Sequence, residues 1–477
     1  MTVLAIDQGT SGTKAIVVDP DQGVLGLAEV PVHPVYLADG GVEQDPQALL
    51  DSVVEAGRRA LAAAGRPAEV VSLANQGETV LAWDPATGRP LSQAVVWQDG
   101  RAAGICQELA DRRDLVESRT GLALEAYFSA PKMAWLRRNV TTSGVVTTTD
   151  SWLLHQLTGE FVTDVTTASR SLVLDLDRRE WDAELLDVFG LAAEPLPRIV
   201  ACDEPLGTTG LFGDELVVGG QVVDQQAALF AQGCLAPGQA KCTFGTGAFL
   251  LVNTGRAAPR SRNGLTTSVA WTLRGASDYC LDGQVFTVAS AVRWLTDIGL
   301  IDGPAHLDPL AADGAGDAVC VPALAGLAAP WWRGDARASF AGIGLATTRG
   351  NLVAAVLQGI AAQIAELAEV VEHDLGEPLS VLRVDGGLTR SRELMQATAD
   401  LCQIPIEVYA SPHATALGAA AMGRLATQPE LAPADVVGAG DPSGSYLPRW
   451  SADQAAGFRS RWRRLAERNL EEVNIGG

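Results

Sequence analysis

Residues 222–249, VVDQQAALFAQGCLAPGQAKCTFGTGAF, place an acid, Asp224, where an apolar, β-favouring run ends and a helical run begins. A carboxylate fixed there can take a proton from an alcohol as a new bond forms at its oxygen. The same position also suits the N-cap of the helix that follows. A break at Pro237 and Gly238 reads as part of a hinge, and beyond it Gly245, Thr246 and Gly247 make a tight loop. The chain opens on a related loop, DQGTSGTK, running from Asp7 to Lys14. Its backbone N–H groups and hydroxyls can converge on one anion as a phosphate nest; by itself it reads first as a plain hairpin turn. It is not a P-loop, because the Gly-Lys-Ser/Thr ending and the following helix are missing.

Each loop needs strands to hold it. Apolar runs at 3–6 and 15–18 flank the first, and 241–243 and 250–253 flank the second. Farther on, 381–384 lead into Asp385, Gly386 and Gly387 and a helical stretch at 393–402, which echoes 221–223 leading into Asp224 and its helix. Two echoes in one order predict a duplicated α/β domain with a cleft between the copies. A helix is expected over 42–65, started by Asp45 and Pro46. Strand-like runs at 70–76 and 94–99 follow, and the short helical runs of 103–198, with TGEFVTDVTTASR, read as an insertion. The apolar period at 352–375 predicts a long helix against a sheet. The Arg- and Glu-rich 452–473 predicts an amphipathic helix on the second domain. His413 and the other four histidines show no ligand spacing and read as structural.

A chain of 477 residues exceeds one core, so two or three domains are expected. The net charge of -22 argues against nucleic acid or an anionic membrane as main partner. Nucleotide binding remains compatible, since local amides and magnesium hold phosphates within an acidic protein. Seven scattered cysteines, an odd number without metal spacing, suggest reduced thiols. The opening residues carry no basic leader or apolar signal segment, and no unbroken apolar run spans a bilayer, so a cytoplasmic protein is expected.

In order, DQGTSGTK, VEQDP, NQGET, VVWQD, YFSAPKMAWL, TTASR, DQQAALFAQG, FGTGAF and DGG resemble the FGGY carbohydrate kinases, and within them the glycerol kinase branch. The resemblance implies an α/β fold of two actin-like (ribonuclease-H-like) domains, 1–233 and 234–477, around a central cleft that takes ATP. It implies ATP-dependent phosphorylation of a terminal hydroxyl of a small polyol or sugar, with Asp224 as catalytic base. Glu78, Tyr127, Asp224 and Gln225 would hold the acceptor's hydroxyls, with Trp97 and Phe249 as an apolar wall. Thr10, Ser11, Gly12 and Lys14 from the first domain, and Gly245 and Thr246 from the second, would handle the transferring phosphate, and Asp7 would help place Mg2+. Gly387 would let the nucleotide approach the backbone. Ala289, Arg293 and Ser391 fall on nucleotide-contact positions where glycerol kinases carry Gly, Gln and Asn. Lys14 stands where that branch has Arg, a point charge in place of a planar fork.

The main departure is Gly77, where the family has the glycerol-binding Arg of NQRET. Its loss removes a charge-assisted donor of about 1.5–3 kcal/mol and is expected to leave space beside the acceptor, favouring a longer or branched polyol or a ketose. The alternative is that a neighbouring Arg or Lys takes over. Relatives in the family are often dimers or tetramers. No segment before Gln221 corresponds to those carrying sugar-bisphosphate inhibition in some bacterial glycerol kinases, so insensitivity to fructose 1,6-bisphosphate is expected. Two other readings stay open: a pentulose or tetritol kinase of the same family, and an actin- or chaperone-like ATPase that phosphorylates nothing. The last would have no use for Glu78, Tyr127 and Gln225.

Overall fold

The computed structural model describes residues 1–438 and 440–475, with side chains described as far as residue 471. Strands β1 (Val3–Gln8), β2 (Gly12–Asp19) and β3 (Gly23–Pro31) form an antiparallel meander. Helix α1 (Pro46–Ala64) begins where Asp45 accepts the Gln47 N–H at 2.9 Å, with Pro46 in its first turn. It returns the chain so that β4 (Val70–Asn75) pairs parallel with β1. After the expected insertion, β5 (Thr208–Thr209) and β6 (Leu216–Val223) complete a six-stranded sheet in the order β5-β6-β4-β1-β2-β3. Helix α2 (Asp224–Ala231) leaves β6 without a loop. The inner strands β1 and β4 are near-continuous apolar runs because both faces of the sheet are covered.

The second half repeats the plan. Strands β7 (Ala240–Phe244) and β8 (Ala248–Gly255) make the second hairpin, followed by β9 (Thr266–Leu273), β10 (Ala276–Val285) and helix α3 (Ala289–Asp297). Helix α4 (Arg349–Leu375) precedes β11 (Leu382–Asp385), which lies parallel to β7. Helix α5 (Arg392–Cys402), β12 (Ile406–Val408), helix α6 (Ala414–Thr427) and β13 (Gly444–Tyr446) follow, and the sheet runs β9-β10-β8-β7-β11-β12-β13.

This topology corrects one expected echo. By position in the sheet, β11 is the counterpart of β4, and β12 is the counterpart of β6. Asp385 therefore matches the end of β4, at Ala74 and Asn75, not Asp224, and the counterpart of α2 is α6. Both segments read locally as a strand ending in Asp before a helix; the distinction lies in pairing partners far away in sequence.

Packing runs across the expected division at 233/234. Helix α6 belongs to the second half of the chain, yet it packs on α2 and against β1, β4 and β6. Backbone comes into direct contact there. A Cβ on Gly418 would lie 2.0 Å from the Ala227 carbonyl oxygen, and one on Gly220 (φ 82°) would lie 2.2 Å from Gly423 N. Only residues without side chains allow that approach. Val3, Ala227 and Phe230 share one buried cluster with Leu251, Trp271 and Met422.

Helix α4 is long and apolar enough to cross a membrane, but 83% of its most apolar window is buried in the second core. Helix α7 (Ala452–Ile475) lies on it, with Arg459 and Arg463 pairing to Glu366 and Glu369. This is the amphipathic helix expected at 452–473.

Candidate active site

The loop after β4 carries Gly77 and Glu78 to the cleft. Glu78 is buried and adopts φ 61°, a left-handed conformation that costs a non-glycine residue about 1 kcal/mol or more and collects at functional sites. Tyr127 comes from the insertion, in the loop before the helix Ser129–Asn139. That loop is gripped from beneath by Lys132, fully buried, whose ammonium donates to the carbonyls of Ala126 (2.9 Å), Tyr127 and Phe128 (2.6 Å). Burial pulls the Lys132 amine down to about 7. Trp97 stands edge-on to Tyr127 (centroids 5.7 Å apart) and to Phe249 of β8 (6.0 Å), so the two halves build one aromatic wall. The Trp97 indole N–H donates to Thr10 Oγ1 at 2.8 Å, tying that wall to the first hairpin. A cavity of about 280 Å³ opens beside Trp97 and Tyr127, lined also by Phe286 and Trp332.

Asp224 occupies the first turn of α2. Its Oδ1 accepts the Gln225 N–H at 2.7 Å, its own next amide rather than the N–H of the second or third helical residue that an N-cap would bind. Burial raises its pKa, opposed by Lys241 and by the Gln225 hydrogen bonds. Lys241, also fully buried, donates to Gln225 Oε1 (2.6 Å) and Thr243 Oγ1 (2.9 Å), and Thr243 donates to Asp385 Oδ1 (2.6 Å). A continuous chain of hydrogen bonds thus runs from Asp224 in the first half to Asp385 in the second.

Asp7, at the end of β1, faces this acidic group. Burial, then the charge of Asp224, push its carboxyl up to about 7, with Lys14 opposing and Glu29 and Asp385 reinforcing. A divalent cation would relieve that crowding. Among the described residues no three His, Cys, Asp or Glu side chains form a ready metal cage. Magnesium is ordinarily held by one or two carboxylates plus phosphates and water, which these residues fit.

The phosphate-handling candidates sit on the two hairpin turns. In the first, Gly9 N–H donates to Gly12 O at 3.0 Å, Ser11 is exposed, and Lys14 pairs with Glu29 at 3.1 Å. In the second, the Gly245 and Thr246 carbonyls accept from Ala289 (3.1 Å) and Val288 (3.0 Å), so the turn sets the start of α3. Arg293, one turn into α3, is exposed. Ser391 caps α5, accepting the Leu394 N–H at 3.2 Å and donating to Asp308 Oδ1 at 2.5 Å. A cavity of about 600 Å³ lies between Lys14 and Glu29 on one side and the 385–390 turn, Tyr409 and His413 on the other. Of the candidates it touches Lys14 and Gly387, not Thr246, Ala289, Arg293 or Ser391.

Room at Gly77 itself is limited on the Val223 side. A Cβ at residue 77 would already stand 2.8 Å from Val223 Cγ2 and 4.0 Å from Arg170 Cδ. The guanidinium of Arg170 lies in this region instead, bonded to Glu78. Arg170, Lys132, Lys241 and Asp282 are the site residues that the motifs left without a role. The available signal was an ionisable residue inside an apolar run, as in AKCTF and YCLDGQVF, since such groups are seldom buried without partners.

Residues 2–231 match the N-terminal domain of the FGGY family of carbohydrate kinases, and residues 240–427 match its C-terminal domain. The chain is 36% identical to glycerol kinase 2 of Thermotoga maritima over 98% of each chain. It is 41% identical to glycerol kinase of Gloeobacter violaceus over 89% of this chain and 88% of that one. Among solved structures, the glycerol kinase of Plasmodium falciparum with ADP aligns with a TM-score of 0.90 at 30% identity, covering 98% of each chain.

Proposed function

The chain belongs to the FGGY family of carbohydrate kinases, and on that premise we propose that it moves the terminal phosphoryl group of ATP to a primary hydroxyl of glycerol, with Asp224 as base. It is a glycerol-kinase-like phosphotransferase; the acceptor's identity and the residue roles are the proposal. The observation that carries it is that Asp224, Glu78 and Tyr127 lie close enough for their charges to act on one another, with Gln225 bonded to Asp224, in a molecule whose two halves each carry a like hairpin turn.

Phosphoryl transfer asks for alignment and charge neutralisation more than for covalent help. The Gln225 N–H fixes Asp224 Oδ1, and Oδ2, 3.3 Å from Gln225 Nε2, takes the hydroxyl proton as the O–P bond forms. A base whose pKa burial has raised is better matched to that proton than an ordinary carboxylate. The aromatic wall packs the acceptor's carbon edge and keeps water from competing for the phosphoryl group. Lys14 and the N–H groups of the two turns would hold the phosphates in line. Mg2+, held by Asp7 together with the phosphates, would supply charge neutralisation.

The test is coupled ADP release over glycerol, tetritols, pentitols and ketoses. Highest kcat/KM on glycerol supports the proposal; preference for a ketose or pentitol overturns the acceptor and keeps the kinase. The cavity beyond Trp97 and Tyr127 is the one observation favouring that longer acceptor.

A further inference from the structure

Arg170 is 3% exposed and follows the helical turn Val165–Ala168. Its Nε donates to Glu78 Oε1; its Nη1 donates to Asp282 Oδ2 and, at 3.4 Å, to Ser268 Oγ. Among the described residues Nη2 makes no hydrogen bond, and it is not sealed away either. The guanidinium carbon lies 5.8 Å from the centre of the Tyr127 ring. The two carboxylates it binds come from different halves of the molecule: Glu78 from the loop after β4, Asp282 from β10. Asp282 is itself fixed, accepting from Thr266 at 2.9 Å and from Gln284.

A polyol hydroxyl must give a proton to one partner and receive one from another. Glu78, as a carboxylate, can only accept. A guanidinium beside it supplies the missing donor in a fixed plane, which a flexible ammonium does not. We propose that Arg170 is a specificity-determining residue of the acceptor site: its free Nη2 donates to the oxygen of the acceptor's secondary hydroxyl, whose proton goes to Glu78, while Asp282 holds the guanidinium in place from the second domain. The proposal rests on the polyol-kinase reading above.

The test uses the full-length enzyme and its Arg170→Lys and Asp282→Asn variants. It compares kcat/KM for glycerol with that for 1,3-propanediol, which lacks the secondary hydroxyl. In Arg170→Lys, kcat/KM for glycerol should fall by about tenfold to hundredfold, the value of one charged hydrogen bond. The value for 1,3-propanediol should fall far less, and the KM for ATP should stay within about twofold. Asp282→Asn should shift the ratio in the same direction by less, and it decides the matter if the lysine variant does not fold. An unchanged ratio of the two acceptors, with both falling together, would mean Arg170 only clamps the domains, and overturns the inference. A parent enzyme that phosphorylates neither glycerol nor any other polyol would instead overturn the reading of function on which the inference stands.

Discussion

Asp7 carries a destabilising burial within the candidate site. Its carboxyl is pushed from 3.8 to about 7, so between those values the folded chain binds a proton that the unfolded chain has released. Stability contributed by this group therefore falls as pH rises through that window and stays lower above it. Asp7→Asn removes the cost. It is expected to melt about 2 °C or more above the parent at pH 8, with the gap shrinking towards pH 4. Thermal melts at both pH values check this, and an equal gap at both contradicts it. The same variant should lose most kinase activity at every pH. Candidate residues at motif positions could be named from sequence because their neighbours are distinctive. The Arg170–Asp282 pair could not be, since its partners lie more than a hundred residues apart, one in the insertion and one on β10.

At the scale of elements, the α2–α6 contact decides whether the cleft has a floor. Gly418→Ala places a methyl 2.0 Å from the Ala227 carbonyl, so the helices must separate and the first turn of α2, with Asp224, must move. A loss of about 1–3 kcal/mol in chemical denaturation is expected, together with reduced kcat. Gly457 is the control: it lies exposed within α7 with nothing within 4 Å of a built Cβ. Gly457→Ala should stabilise by about 0.5–1 kcal/mol and leave activity unchanged. If both substitutions behave alike, the close approach has no energetic weight. The hairpins, α1, α4 and α7 were legible because caps and periodicity are local. The register of the repeat was not: β6 and β11 look alike in sequence, and only their parallel partners, β4 and β7, tell them apart.

At the scale of the whole molecule, neither half is complete without the other. Phe249 of the second half packs edge-on to Trp97 of the first, and α6 covers the first sheet. A fragment of residues 1–233 would expose the apolar face that α6 covers on β1, β4 and β6, and should show no cooperative melt, while the full chain should. A cooperative melt of the fragment near the temperature of the full chain would contradict this. Phe249→Ala should raise the acceptor KM more than the ATP KM, although the residue belongs to the half that follows the hinge region. Under the proposed function one carboxylate takes the acceptor's proton, so the most direct measurement is single-turnover phosphoryl transfer to glycerol by Asp224→Asn. The rate should drop by at least about a hundredfold with nucleotide affinity held within about twofold; a variant that transfers phosphate as fast as its parent would contradict the account.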